Sequence, residues 1–130
     1  MWTYSQSSGV LADPTGKPCA AGYSGHGPGL NNPAMQDIHN IGPVPQGLYS
    51  LGAPLDHPTC GPFAIPLIPH DGNEMFGRSG FYVHGDDVRY PGQEVASDGC
   101  IVLDRPDREA VWNARFGPLD TTDHILKVTA

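Results

Sequence analysis

Short hydrophobic runs alternate with polar residues and are punctuated by glycine, proline and asparagine along the whole chain. Trp2 to Ser7 alternates large and small polar positions, Ser8-Gly9 reads as a turn, and Val10-Leu11-Ala12 before Asp13-Pro14-Thr15-Gly16 reads as the hairpin partner. Leu48 to Leu51, Phe63 to Ile68, Phe81 to His84 and Ile125 to Val128 predict further strands. Pro62, Pro66 and Pro69 lack the N–H that a ladder needs, which predicts an edge or broken strand over the second of these. Asn31 to Gln36 predicts one short helical turn inside a loop. Asp104-Arg105-Pro106-Asp107-Arg108-Glu109 opens the strongest helix signal, with a capping aspartate, a proline in the first turn and acidic residues at the positive end of the dipole. That helix is expected to run to about Ala114 or Arg115. The fold class predicted is mainly β, a β-sandwich or mixed barrel with one substantial helix.

Composition narrows this further. A chain of 130 residues reads as a single domain over 1–130, large enough for one core and too short for two. Seventeen glycines and fourteen prolines are spread between hydrophobic runs without a repeat, so they mark turns rather than disorder. A net charge of −7 with only seven scattered Lys and Arg excludes a nucleic-acid partner, which needs a basic stripe. No run of 18 apolar residues exists to cross a membrane. Met1 to Gln6 has neither the basic start nor the apolar stretch of a signal peptide, so if this is the natural start the protein is expected to be made in the cytoplasm and to leave by another route.

Against this background one pair of residues stands out. Phe81-Tyr82-Val83 delivers His84 to a strand end, and Ser97-Asp98-Gly99 delivers Cys100, sixteen positions later, to the start of a second hydrophobic run. A thiol is a weak nucleophile until deprotonated, and an adjacent imidazole can take its proton or pair with the thiolate. Gly99 permits close backbone approach to a substrate, and the amides of Asp98, Gly99 and Cys100, with Gly85 as a further backbone member, are candidates for binding a developing oxyanion. Taken alone, a buried cysteine and a hydrogen-bonded strand-end histidine are commonplace core residues.

The surrounding residues add a resemblance. His84-Gly85, Ser97, Gly99 and Cys100 resemble the signature of the L,D-transpeptidases, and Gly42-Pro43-Val44-Pro45-Gln46-Gly47-Leu48-Tyr49 is similar to that family's Pro-x-Gly-x-Tyr strand. Trp2-Thr3-Tyr4-Ser5-Gln6, Gly9 and Tyr23 to Pro33 resemble a branch deployed as type VI secretion effectors. The resemblance implies an L,D-transpeptidase-like fold with the helix after a catalytic Cys100, and a histidine oriented by a backbone carbonyl, here that of Gly85. It implies thioester chemistry on peptidoglycan stem peptides, as L,D-carboxypeptidase or as exchange of a terminal D-alanine for D-amino acids, in the periplasm of a target cell. Type VI secretion components and a cognate periplasmic immunity protein are the implied partners, and neither cofactor nor metal is expected. Asp98 departs from the family pattern, standing where those enzymes carry a histidine.

Other residues enter as substrate-binding candidates: Ser97, Tyr49, Arg105, whose guanidinium could hold a carboxylate, and His26 in its glycine-rich loop. Turn-stabilising or core roles compete with each of these readings, and Asp86 and Asp87 read as residues that orient loop backbone. Three cysteines leave an odd one under any pairing; three reduced thiols are the default, and a Cys19–Cys60 disulfide that leaves Cys100 free is the alternative. Three other functions stay open: a zinc hydrolase using His84 and Asp86 with a further histidine, an amidase with Cys19 as nucleophile and His84 as base, and a non-catalytic β-domain that binds cell-wall peptides.

Overall fold

A computed structural model describes residues 1–90, 92–113 and 124–130. Ten strands form one mixed, mainly β arrangement: β1 (Trp2–Ser5), β2 (Val10–Ala12), β3 (Pro18–Ala21), β4 (Tyr23–Ser24), β5 (Gly47–Leu51), β6 (Leu55–His57), β7 (Gly61–Pro69), β8 (Tyr82–His84), β9 (Ile101–Val102) and β10 (Ile125–Thr129). Their spatial order is β3-β2-β1-β10-β5-β7-β8-β9-β4, with β6 paired onto β7. One helix, α1 (Arg105–Asn113), follows the Cys100 region, as the charge pattern predicts. Positions 114 and 115, to which it was expected to extend, lie outside the described residues. The expected helical turn in the Asn31 loop is a 3₁₀ turn at Pro33–Met35, with the Asn32 side chain accepting from the Ala34 amide.

Alternation builds the core. Trp2, Tyr4, Tyr49, Leu51, Leu126 and Val128 point inward from β1, β5 and β10, where they meet Ile65, Leu67, Val83 and Ile101. The β1–β2 hairpin forms with Tyr4 opposite Leu11, as the turn at Ser8-Gly9 predicts. α1 packs Val111 and Trp112 against this core, and its buried Arg108 donates to the carbonyls of Pro62, Phe63 and Leu103. Those three carbonyls belong to the edge of β7 and the end of β9, so a charged side chain ties the helix to the sheet with its donors satisfied.

The expectation for β7 is corrected. It is the longest strand and lies between β5 and β8, neither broken nor at an edge. Its prolines are tolerated because β7 changes partners along its length: Gly61 to Ala64 face β6, Ile65 and Pro66 face β8, and Leu67 to Pro69 face β5. Pro66 directs its carbonyl to the Gly52 amide, one residue beyond the end of β5, so the side of the strand that lacks a donor meets the ladder's end.

Two parallel pairings matter most, β1 with β10 and β8 with β9. A parallel pair cannot be joined by a tight hairpin and needs a return of a dozen or more residues. The sixteen residues from Gly85 to Cys100 make that return. The spacing between the histidine and the cysteine is therefore a consequence of topology.

Candidate active site

The β8–β9 register sets Val83 opposite Ile101 and His84 opposite Val102. Val83 and Ile101 both enter the core, so by the two-residue period Tyr82, His84 and the Cys100 position fall on the other face. Cys100, one residue before Ile101, comes level with Tyr82, whose amide donates to Cys100 Sγ at 3.3 Å. A ring nitrogen of His84, Cys100 Sγ and Cys60 Sγ lie within 4.8 Å of one another. The motifs pair His84 with Cys100; Cys60, delivered by the turn between β6 and β7, is a third member with no sequence signal.

His84 is buried, and its Nδ1 lies 2.7 Å from the carbonyl of Gly85. A carbonyl only accepts, so Nδ1 carries the proton and Nε2 the lone pair. Burial lowers the imidazole's pKa below its ordinary 6.5, Arg108 and His57 lower it further, and the Gly85 and Asp86 contacts oppose them. The ring is thus held neutral with a basic nitrogen available.

The two thiols form a tight pair. A hydrogen bond from Cys100, helped by His57 and opposed by burial, brings Cys60 down to about 6. The same bond, with burial, pushes Cys100 up, against the pull of the Tyr82 N–H. The two thiols therefore titrate as a pair, whose first proton leaves more readily than its second. Two sulfurs and an imidazole are also a soft donor set of the kind that zinc accepts.

The turn carrying Cys100 is braced by buried polar side chains. Ser97 donates to the Cys100 carbonyl and accepts from the amides of Gly25 at 2.9 Å and Gly99 at 3.0 Å. Ser24 Oγ donates to the Gly99 carbonyl at 2.8 Å and accepts from the Val44 amide at 2.9 Å. Arg78, also buried, donates to the carbonyls of Gln36, Gly42, Pro43 and Asp98. It stacks 5.2 Å from the centre of the Phe81 ring. Gly99 has φ +134°, and a Cβ there would meet Arg78 Nη2 at 2.5 Å and Phe81 at 2.7 Å, so the turn requires glycine on both counts. A hollow of about 210 Å³ opens against Cys100 and is lined by His39, Asn40, Arg78, Gly80, Phe81 and Asp98.

Several expected roles are corrected by these contacts. The Gly99 amide is committed to Ser97 Oγ and is not available to an oxyanion. Ser97 is buried with its hydroxyl bound to backbone, so it shapes the turn. Tyr49 is fully buried, its hydroxyl donating to the Pro45 carbonyl at 2.7 Å. Arg105 pairs with Glu109 at 2.8 Å and lies over Phe63, outside the hollow. His26 Nδ1 sits 2.7 Å from the Ser97 carbonyl and 3.7 Å from the Asp98 carboxylate, flanking the turn from outside the hollow. Gly85 contributes its carbonyl to His84, and its α-carbon faces the Arg108 guanidinium.

Asp86 accepts from Tyr23 O–H and from the amides of Asp87 and Gly92, so it orients the loop as read and is not a partner of His84 in a zinc pair. Cys19 and Cys60 do not pair: Cys19 lies exposed on β3 with its thiol toward the Leu11 carbonyl, and all three cysteines are free. Cys19 lines a separate hollow with Asp13 and Asp107.

A mainly β scaffold that sets a fixed imidazole near a thiol, with that thiol lining an open hollow, is a cysteine–histidine site. The family model of the Tlde1 domain matches residues 19–126, and the chain belongs to that family, a domain of type VI secretion effectors. Neither the curated proteins nor the solved structures yield a match. As an effector of this kind the protein is secreted, and its class implies secretion-system components and a cognate immunity protein as partners. No helix among the described residues is long and apolar enough to cross a membrane.

Proposed function

We propose that this effector is a cysteine L,D-transpeptidase or L,D-carboxypeptidase that acts on peptidoglycan stem peptides in the periplasm of a target cell, with residues 1–130 as its single catalytic domain. The observation that carries the reading is the convergence of the His84 imidazole, its Nδ1 fixed by Gly85, with Cys100 at the mouth of a hollow. The substrate class follows from the resemblance of the motifs around both residues and from the effector family.

Cys100 gives its proton to His84 Nε2, and its sulfur attacks the carbonyl that precedes a terminal D-alanine. The backbone amides of Asp98 and Cys100 bind the developing oxyanion, Gly99 being committed elsewhere. The C–N bond breaks, His84 returns the proton to the departing D-alanine nitrogen, and an acyl thioester remains on Cys100. Water then releases a tripeptide, or a D-amino acid takes the acyl group. Either outcome removes tetrapeptide donors from cross-linking, and an immunity protein would act by covering the hollow. Digestion of purified muropeptides tests this: the wild type and Cys19→Ser convert tetrapeptide to tripeptide or exchange products, and Cys100→Ala lowers the rate by about a thousandfold or more. Full activity in Cys100→Ala refutes the mechanism.

A further inference from the structure

Cys60 has no part in the thioester chemistry, yet it is held against the thiol that does. The turn that presents it is pinned by His57, whose Nδ1 accepts from the amides of Thr59 and Cys60, each at 3.0 Å. The His57 ring in turn packs 4.8 Å from the ring of Tyr82, the residue whose amide donates to Cys100. β6, its turn and β8 thereby bring two half-buried sulfurs, 40 positions apart in sequence, within 4.8 Å. We infer that Cys60 and Cys100 are a reversible disulfide site, in which Cys60 reacts first with the donor and, once bonded to Cys100, caps and protects the nucleophile.

The closing step takes its electrons to a named acceptor class, a disulfide donor such as oxidised glutathione or a protein disulfide. The Cys60 thiolate attacks one donor sulfur, forming a mixed disulfide and releasing one donor thiolate. The Cys100 sulfur, its proton passing to His84, attacks Cys60 Sγ and expels the second donor thiolate. The two cysteines lose two electrons and two protons, and the donor leaves as two thiols. The closed form has no thiolate at Cys100, so it cannot be driven to sulfinic acid and is reopened by a thiol reductant. A secreted effector passes from a reducing to an oxidising compartment, where such a pair closes. The loss of activity on closing rests on the role proposed for Cys100, whereas formation of the bond does not.

The test treats the full chain with glutathione disulfide, quenches with acid and reads intact mass, thiol count and muropeptide turnover. The expected wild-type product has lost two hydrogens, carries no glutathione, keeps one of its three thiols for maleimide, and maps to a Cys60–Cys100 peptide. Turnover falls by about tenfold or more and returns with dithiothreitol. Cys60→Ser instead accumulates glutathione on Cys100. A stable glutathione adduct on the wild type without the internal bond overturns the inference, as does protection of the two thiols that a chelator relieves and dithiothreitol does not. A bond that forms in a protein inactive on muropeptides in its reduced state refutes the proposed function and leaves this inference standing.

Discussion

Cys19 and Cys100 are the same residue type beside two hollows, and the fold treats them in opposite ways. Cys19 sits on the outermost strand of the sheet, exposed, with its thiol toward a backbone carbonyl. Burial of the sulfur, with the carboxylates of Asp13 and Asp107, pushes its pKa up, as Cys60 and burial do for Cys100, but no histidine among the described residues lines its hollow to take the proton. Cys100 sits where an N–H donor, a guanidinium, an imidazole and a second thiol converge. Reactivity is therefore a property of the strands and loops that surround a sulfur, and sequence position reveals it only when those neighbours are near in the chain or known from a motif.

The difference can be attacked from the Cys100 side first. Arg78→Met removes a guanidinium that satisfies four carbonyls and anchors the Asp98 carbonyl beside Cys100. Leaving buried acceptors unmet costs about 1–3 kcal/mol each, so the variant is expected to lose about 3 kcal/mol or more of stability in urea. Its Cys100 alkylation rate is expected to fall toward that of Cys19. A variant as stable as the wild type shows that the turn does not depend on Arg78.

A smaller effect should appear on acidification. His84 has its folded-state pKa depressed by burial, so the unfolded chain binds its proton more readily. The stability it contributes is present above its unfolded value of 6.5 and is lost as pH falls from there through the lower folded value. Urea unfolding between about pH 7.5 and about pH 5.5 should show a decline that His84→Gln reduces. An unchanged slope in that variant means that the imidazole is not held neutral by the fold.

Much of the scaffold is legible from residues close in sequence. The β1–β2 hairpin, β5, β10 and the helix start follow from alternation, turn residues and capping charge. The pair His84 and Cys100 is legible because one crossover sets their spacing. β4 and β9, two residues each, are too short to show a period, and β7 was misread because its prolines are excused by changes of partner far along the chain. Arg78 and Cys60 were missed for a related reason. Arg78 acts on carbonyls as far as 42 residues away, and Cys60 on a sulfur across the sheet, with no local pattern to mark either. Ser97, read as a substrate contact from its place in the motif, is a buried brace, since a motif preserves positions without saying which way a hydroxyl points.

The central claim is covalent chemistry at Cys100, and the most direct measurement is the intact mass of the reduced protein quenched during turnover of a disaccharide tetrapeptide. The account predicts an acyl adduct equal to the donor less D-alanine, mapped to Cys100 and absent from Cys100→Ala. Turnover of the tetrapeptide with no adduct on any cysteine, or an adduct mapped to Cys19, would contradict it.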